Sequence, residues 1–280
     1  VCYYKALAQY KSGDAKAALE SYSALIDYDE KNWEVYYLRG SVYLSEGDKD
    51  KCLKDYEKAV ELNASDLGLY GHICENLKNA GEDDEAEKYL EQGLALQPSS
   101  GTDYENVGYL YTIKGDTENA VKAYQQAVEK QSDKAENLGL KLLNNKSYRS
   151  FYKLHPEEKA QILYQMGNLY LEKEQYEKAS SYFQDSLNTG TSLLECYRDY
   201  AICSLDMGNL LKGKRLMNEA KEQGLSNAEY ILVEGEMAFL KKEYRKALGD
   251  FKKAKETAAD EEVRQKGASF YAKTCITLTD

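Results

Sequence analysis

Along most of the chain, large apolar, small and charged residues recur with a helical period and not with the alternation of a strand. In the stretch that begins at Trp33, Tyr36, Gly40 and Tyr43 are spaced by four and three, which puts them on one face of a helix. Cys52, Tyr56 and Ala59 repeat that spacing further on. Between the two runs stand Gly47 and Asp48. Glycine suits a left-handed helix end, and aspartate suits the N-cap of a following helix. The pattern therefore predicts a helix, a tight turn and a second helix folded back on the first. The same pattern returns at a fixed interval. Gly40, Cys74 and Gly108 are 34 apart, as are Tyr36, Tyr70 and Tyr104, and Gly47, Gly81 and Gly115. Ala6 and Gly13 continue two of these series backwards. A second set, Gly167, Ala201, Gly235 and Ser269, also advances in steps of 34.

A period of 34 with a large residue at position 4, small ones at 8, 20 and 27, and aromatics at 11 and 24 resembles the tetratricopeptide repeat (TPR) family. The copy starting at Gly101 supplies Tyr104, Gly108, Tyr111, Ala120, Tyr124 and Ala127. The copy starting at Ala160 supplies Leu163, Gly167, Tyr170, Ala179, Phe183 and Ser186. A copy starting at Ala228 supplies Ile231, Gly235, Ala238, Ala247, Phe251 and Ala254, and weaker copies start at Leu67 and Leu194. The resemblance implies an all-α, right-handed superhelical solenoid of antiparallel helix pairs, with about seven repeats. Residues 1–134 are expected to hold four repeats, the first truncated at its start, and 160–261 three more. A capping helix is expected over 262–280, with Asp260, Glu261 and Glu262 placing negative charge at its N-terminus. Gly13, Gly47, Gly81, Gly115 and Gly208 end first helices, and Asp14, Asp48, Asp116 and Asn209 cap second ones. In two repeats Glu174-Gln175-Tyr176 and Lys242-Glu243-Tyr244 replace the glycine turn, and there the aromatic is expected to pack against the hairpin.

The period breaks at 135–159, a stretch too short for a full repeat. Ala135 to Asn144 reads as a helix with Leu138, Leu142 and Leu143 on one side. Ser147 is expected to cap a short helix that His155-Pro156 closes. The break is either a bend that shapes the groove or drift in a redundant array.

Composition fits a helical, folded chain: 2 prolines, 42 % hydrophobic and 30 % charged residues. Tyrosine is abundant, at 26 against 5 Phe and 1 Trp, and suits sites where the ring packs while the hydroxyl stays wet. The formal net charge of −11 argues against nucleic acid and anionic membranes as partners, since affinity for phosphates rests largely on Lys and Arg. No apolar run approaches the roughly 20 residues of a membrane span, so no direct membrane insertion is expected. The chain opens on Val1-Cys2-Tyr3-Tyr4, already inside a helical pattern, and an upstream segment carrying any targeting signal is expected to be missing. A cytoplasmic protein and an exported, membrane-tethered one would then look alike. The Tyr- and Lys-rich style resembles that of bacterial TPR proteins.

No chemistry is expected. The chain has no phosphate loop and none of the hydrolase or metalloprotease motifs. The 6 cysteines form no CxxC pair and read as small packing residues. His72 and His155 stand alone. No catalytic residue, metal site or cofactor is therefore predicted.

What remains is a groove. In the family, the first helices line the concave face near positions 2, 5, 6, 9, 12 and 13. Carried over, these give Tyr3, Tyr4, Leu7, Tyr10, Tyr37, Leu38 and Leu44 at an aromatic, apolar end. His72, Glu75, Lys78, Asn106, Tyr109, Tyr164, Gln165 and Asn168 follow. Glu195, Arg198, Asp199, Asp206, Glu229, Glu236 and Phe239 form a mainly acidic far end. The Lys, Arg and Asn set with which chaperone-type members grip a peptide carboxylate is not present. The expected function is a non-catalytic scaffold that binds a protein or peptide, with an apolar anchor at one end and basic residues favoured at the other. A second possibility is the helical regulatory or sensor part of a larger enzyme or signalling protein, and a third is self-association.

Overall fold

A computed structural model describes residues 2–130, 134–191 and 193–279, without the side chains of Cys2 and Thr279. The described residues form helices and turns and no strand. The first of two compact units, Val1–Ala135, holds four hairpins: α1 (Cys2–Lys11) with α2 (Ala15–Tyr28), α3 (Trp33–Ser45) with α4 (Lys49–Leu62), α5 (Leu67–Asn79) with α6 (Asp83–Leu94), and α7 (Gly101–Lys114) with α8 (Thr117–Glu129). The second helices begin at 15, 49, 83 and 117, so the 34-residue period is also a spatial one. Residues 131–133, within the expected first block, lie outside the described residues.

The second unit, Glu136–Asp280, opens irregularly. After α9 (Ala135–Asn144) come a 3-10 turn at Lys146–Tyr148 and the short α10 (Arg149–Leu154). Asn145, not the expected Ser147, caps this turn: its side chain accepts from the Ser147 N–H. Pro156 closes α10 and is at the same time the first residue of α11 (Pro156–Glu172), where its missing N–H costs nothing. Regular hairpins follow: α11 with α12 (Tyr176–Leu187), α13 (Leu194–Asp206) with α14 (Leu210–Glu222), and α15 (Asn227–Leu240) with α16 (Tyr244–Thr257). The chain ends in α17 (Glu261–Thr279).

Each hairpin turn is built the same way. Gly47 has φ +80, and the Asp48 N–H reaches back to the Tyr43 carbonyl at 2.9 Å, a Schellman closure. Asp48 then caps α4 through the Lys51 N–H. Asp14, Asp116 and Asn209 cap α2, α8 and α14 likewise. Where glycine is absent the turn is not redesigned. Glu174 and Lys242 adopt φ 55 and 63 themselves, and the same bond closes the turn, Gln175 to Tyr170 and Glu243 to Ala238, each 2.9 Å. The aromatics that follow do pack: Tyr176 lies half-buried against its unit's core, and Tyr244 sets its edge 5.5 Å from Phe239. The turn itself still requires a left-handed residue.

The hairpins close on one recurring contact. Tyr56, Tyr124, Phe183 and Phe251 on the second helices are all buried. Each lies against Gly40, Gly108, Gly167 or Gly235 on the first helix. A Cβ added at these glycines would stand 2.5–2.8 Å from ring carbons, closer than van der Waals contact allows. Burying each ring contributes about 1.5–3 kcal/mol. The other small positions are filled by Ala6, Cys74 and Ala201, all fully buried.

Gly167→Ala is accordingly expected to destabilise the protein by about 1–3 kcal/mol, as overpacking does. Gly249, mid-helix in α16 with open space where its Cβ would be, provides the contrast: Gly249→Ala should stabilise by up to about 1 kcal/mol. Urea unfolding of the two variants measures both signs.

Candidate functional site

Within the first unit, α1, α3, α5 and α7 present a shared surface. Tyr3 on α1 donates to the Glu34 carboxylate on α3 at 2.7 Å. Tyr37 on α3 stands 6.3 Å from the His72 ring on α5. On α5, Gly71 leaves the room that the Tyr109 ring of α7 fills; a Cβ there would be 2.9 Å from it. Between α3 and α5 the surface opens into a cavity of about 360 Å³. Trp33, Glu34, Tyr37 and Leu38 line it from α3, and Leu69 and His72 from α5, with Asp66 and Gly68 completing the wall.

The residues expected on this face divide into free and spent groups. Tyr4 is 74 % exposed, its ring edge-on to Tyr3, and His72 and Glu75 are exposed. Leu7, Lys78 and Asn106 are half-exposed. Tyr3, Tyr10 and Leu38 pack one side against the core of the first two hairpins. Tyr37 stacks on Tyr56 at 5.8 Å and accepts from the Asn76 amide. Leu44 packs against the core of the middle hairpins. Burial, together with the Glu75 carboxylate, pushes the Tyr109 hydroxyl above its usual range.

In the second unit half of the expected groove residues are buried, while Glu195 stays exposed. Tyr164, Arg198, Asp199 and Glu236 are each at least nine-tenths buried, while Asn168 is half-exposed. Arg198 grips Asp199 with two bonds of 2.8 and 2.9 Å, and Tyr164 donates to the same carboxylate at 2.8 Å. Two residues of α17 complete the cluster: Glu262 accepts from Arg198 at 2.7 Å, and Lys266 reaches Asp199 at 2.6 Å. Glu229 accepts from Arg198 at 3.3 Å. Burial alone would raise the Asp199 carboxyl, but Lys266 and Arg198 outweigh it and hold it well below the usual range. The acidity expected at this end is therefore largely turned inward. A cavity of about 480 Å³ lies beside the cluster, with Glu195, Arg198, Glu229 and Glu262 in its walls.

A second buried carboxylate is less well served. Glu236 is 2 % exposed. Burial, with Asp206 nearby, pushes it up to about 7, and Lys273 only partly offsets this.

Sequence reasoning passed over Trp33, Glu34, Asp66 and Leu69, all of which line the cavity of the first unit. Position 2 of the repeat would have flagged Glu34. It also passed over Glu262 and Lys266, because a capping helix was expected only to cover an end.

Five cysteines are free: Cys52, Cys74, Cys196 and Cys203 are buried and Cys275 is partly so. Burial raises the four buried thiols to about 12, which leaves them unreactive. His155 stacks on Phe151 at 4.6 Å and pairs with Glu157. No group of three or more His, Cys, Asp or Glu suited to a metal is found among the described residues. No helix among them is long and apolar enough to cross a membrane.

Stacked antiparallel hairpins with a 34-residue period define an α-helical repeat protein as the class. Family models of the tetratricopeptide repeat match residues 33–66, 104–133 and 160–188, so the chain carries tetratricopeptide repeats over these segments. It is 21 % identical over 247 residues to the Hsp70-Hsp90 organizing protein of Triticum aestivum, covering 86 % of this chain and 38 % of that one. It is 24 % identical over 249 residues to Hsp70-Hsp90 organizing protein 1 of Glycine max, covering 88 % and 39 %. The chain thus spans about two-fifths of the length of these relatives. A solved tetratricopeptide repeat protein from Parabacteroides merdae aligns over 98 % of this chain and 97 % of its own at 16 % identity, with a TM-score of 0.35, too low to bear on how the repeats are arranged.

Two predictions concern the second unit. Arg198→Met should destabilise the protein by about 3–5 kcal/mol, because it strips a buried carboxylate of its main partner; thermal or urea unfolding measures it. For Glu236, a pKa raised in the folded state means that the native protein binds more protons than the unfolded chain. That stability is present below the unfolded value near 4.5 and is lost as pH rises toward about 7. Glu236→Gln is expected to raise the melting temperature at pH 8 relative to wild type, and to leave it nearly unchanged at about pH 4.5.

Proposed function

We propose that the chain is a non-catalytic scaffold that binds a polypeptide on the face formed by α1, α3, α5 and α7. The cavity between α3 and α5 carries this reading: Trp33, Tyr37, Leu38, Leu69 and His72 surround an opening large enough for a side chain, and Tyr4 stands 74 % exposed on the same row of helices. Tyrosine and tryptophan are the residues that most often anchor protein interfaces. The tetratricopeptide repeats found here support protein interaction in general, and the family is generally non-catalytic. Two of the matched relatives are named for organizing Hsp70 and Hsp90, which favours a protein partner for this chain without naming one. No Lys or Arg lines the cavity, so a carboxylate-gripping mode is not proposed.

Site-specific photo-cross-linking tests the assignment. A cross-linking residue at Tyr4 or at His72 is expected to capture bound polypeptide, whereas one at Lys54, exposed on the second helix of its hairpin, should not. Capture from Lys54 with none from Tyr4 and His72 would move the binding surface to the other face.

A further inference from the structure

We infer that the cavity between α3 and α5 is a pocket for a cationic side chain, an arginine of an extended basic segment. This rests on the proposed polypeptide-binding role of the same face. Its walls combine two kinds of group that a guanidinium satisfies together. Trp33, Tyr37 and His72 offer ring surface, and a cation set over an aromatic face is attracted by the ring quadrupole. Glu34 and Asp66 add two carboxylates to the same walls, with no Lys or Arg among the lining residues to neutralise them.

The carboxylates are held in place rather than consumed. Glu34 is exposed and accepts one hydrogen bond, from Tyr3 to Oε1. Asp66 caps α5 by accepting from the Gly68 and Leu69 N–H groups at Oδ1, while its Oδ2 accepts from the Asn63 amide at 2.9 Å. Asp66 Oδ1 is taken up by its two N–H donors, but Asp66 Oδ2 and both oxygens of Glu34 accept at most one hydrogen bond each, so both carboxylates keep acceptor capacity. The larger cavity of the second unit makes a useful contrast. It has more carboxylates, but its walls include Arg198, which is already bonded to Glu229 and Glu262, and no aromatic side chain. There an internal arginine already holds two of the carboxylates; Glu34 and Asp66 have no such cation in their walls.

Arginine fits better than lysine. Its planar guanidinium can stack on a ring and bond a carboxylate at once, and it carries less tightly held water than an ammonium. The cavity of about 360 Å³ accommodates one such side chain. The net charge of −11 adds a long-range bias toward basic segments.

The chain's single tryptophan is Trp33, so selectively excited tryptophan fluorescence reports on this pocket alone. The full chain is titrated with alanine-rich peptides of equal length that carry one central Arg, Lys, Leu, Phe or Glu. The Arg peptide is expected to bind most tightly, to weaken with added salt, and to weaken about fivefold in Glu34→Gln, the scale of one partly exposed charge pair. Glu34 is on the surface, so the variant folds. Binding of the Leu peptide should be unchanged by that substitution. Equal or tighter binding of the Leu or Phe peptide, with no effect of Glu34→Gln, would show an apolar anchor site and overturn the inference. So would preference for the Glu peptide, or no Trp33 response to any peptide. The wider reading fails separately: if cross-linkers at Tyr4 and His72 still capture polypeptide, only the cationic pocket is lost.

Discussion

Four hairpins close where a ring on the second helix lies against a glycine on the first. At Gly40, Gly108, Gly167 and Gly235 the added Cβ would come within 2.8 Å of Tyr56, Tyr124, Phe183 and Phe251. That contact sets how near the two helices lie, and with it the angle at which their other side chains meet. Other features follow from it. The left-handed residue at each turn, and the side-chain cap that follows it at Asp14, Asp48, Asp116 and Asn209, are the local devices that deliver the two helices to this distance. The periodic spacing then makes the first helices of the first unit neighbours, so that residues on α3 and α5 together wall a cavity.

The two units use their polar residues in different ways. In the first, polar groups near the core are small and neutral or neatly paired. Asn76 donates to Tyr37, Ser41 and Tyr56, and Arg39 holds Asp55 with two bonds of 2.8 Å. The carboxylates left over, Glu34 and Glu75, remain at the surface. In the second, charge goes inside. Arg198, Asp199 and Glu236 are at most 2 % exposed. A buried ion pair of this kind roughly breaks even against an apolar core, while breaking it is costly. It constrains which side chains can sit there more than it adds stability.

Much of the fold could be read from the sequence because it is periodic. Gly13, Gly47, Gly81 and Gly115 mark turns by recurrence alone, and the capping role of Asp14, Asp48 and Asp116 follows from their place after them. Glu174 and Lys242 were harder. Residues with a Cβ rarely take a left-handed conformation, so their turns looked as if they must differ, whereas the backbone bond that closes them is unchanged. Asn145 was missed in favour of Ser147 because both are good caps two residues apart. On the candidate surface, the repeat register does not convey burial. Arg198 and Asp199 occupy positions that line grooves in the family, yet their partners Glu262 and Lys266 lie 64 and 67 residues away. No local pattern links residues across that distance. The cavity walled by Trp33, Glu34 and Asp66 escaped for a related reason: it is made by the edges of two repeats and not by the centre of one.

The bonds from α17 to α13 carry a consequence for how these helices open. In an array whose units touch only adjacent ones, free energy is a sum of single-unit and nearest-neighbour terms, and the last unit frays first. Lys266 and Glu262 add a direct tie between the final helix and one that precedes it by two hairpin positions. Opening α17 therefore leaves Asp199 and Arg198 short of partners deep in the preceding stack, a penalty that a helix tied only to its neighbours does not incur. The helices from α13 to α17 are thereby coupled into one cooperative block, whose backbone amides should open to solvent together instead of hairpin by hairpin.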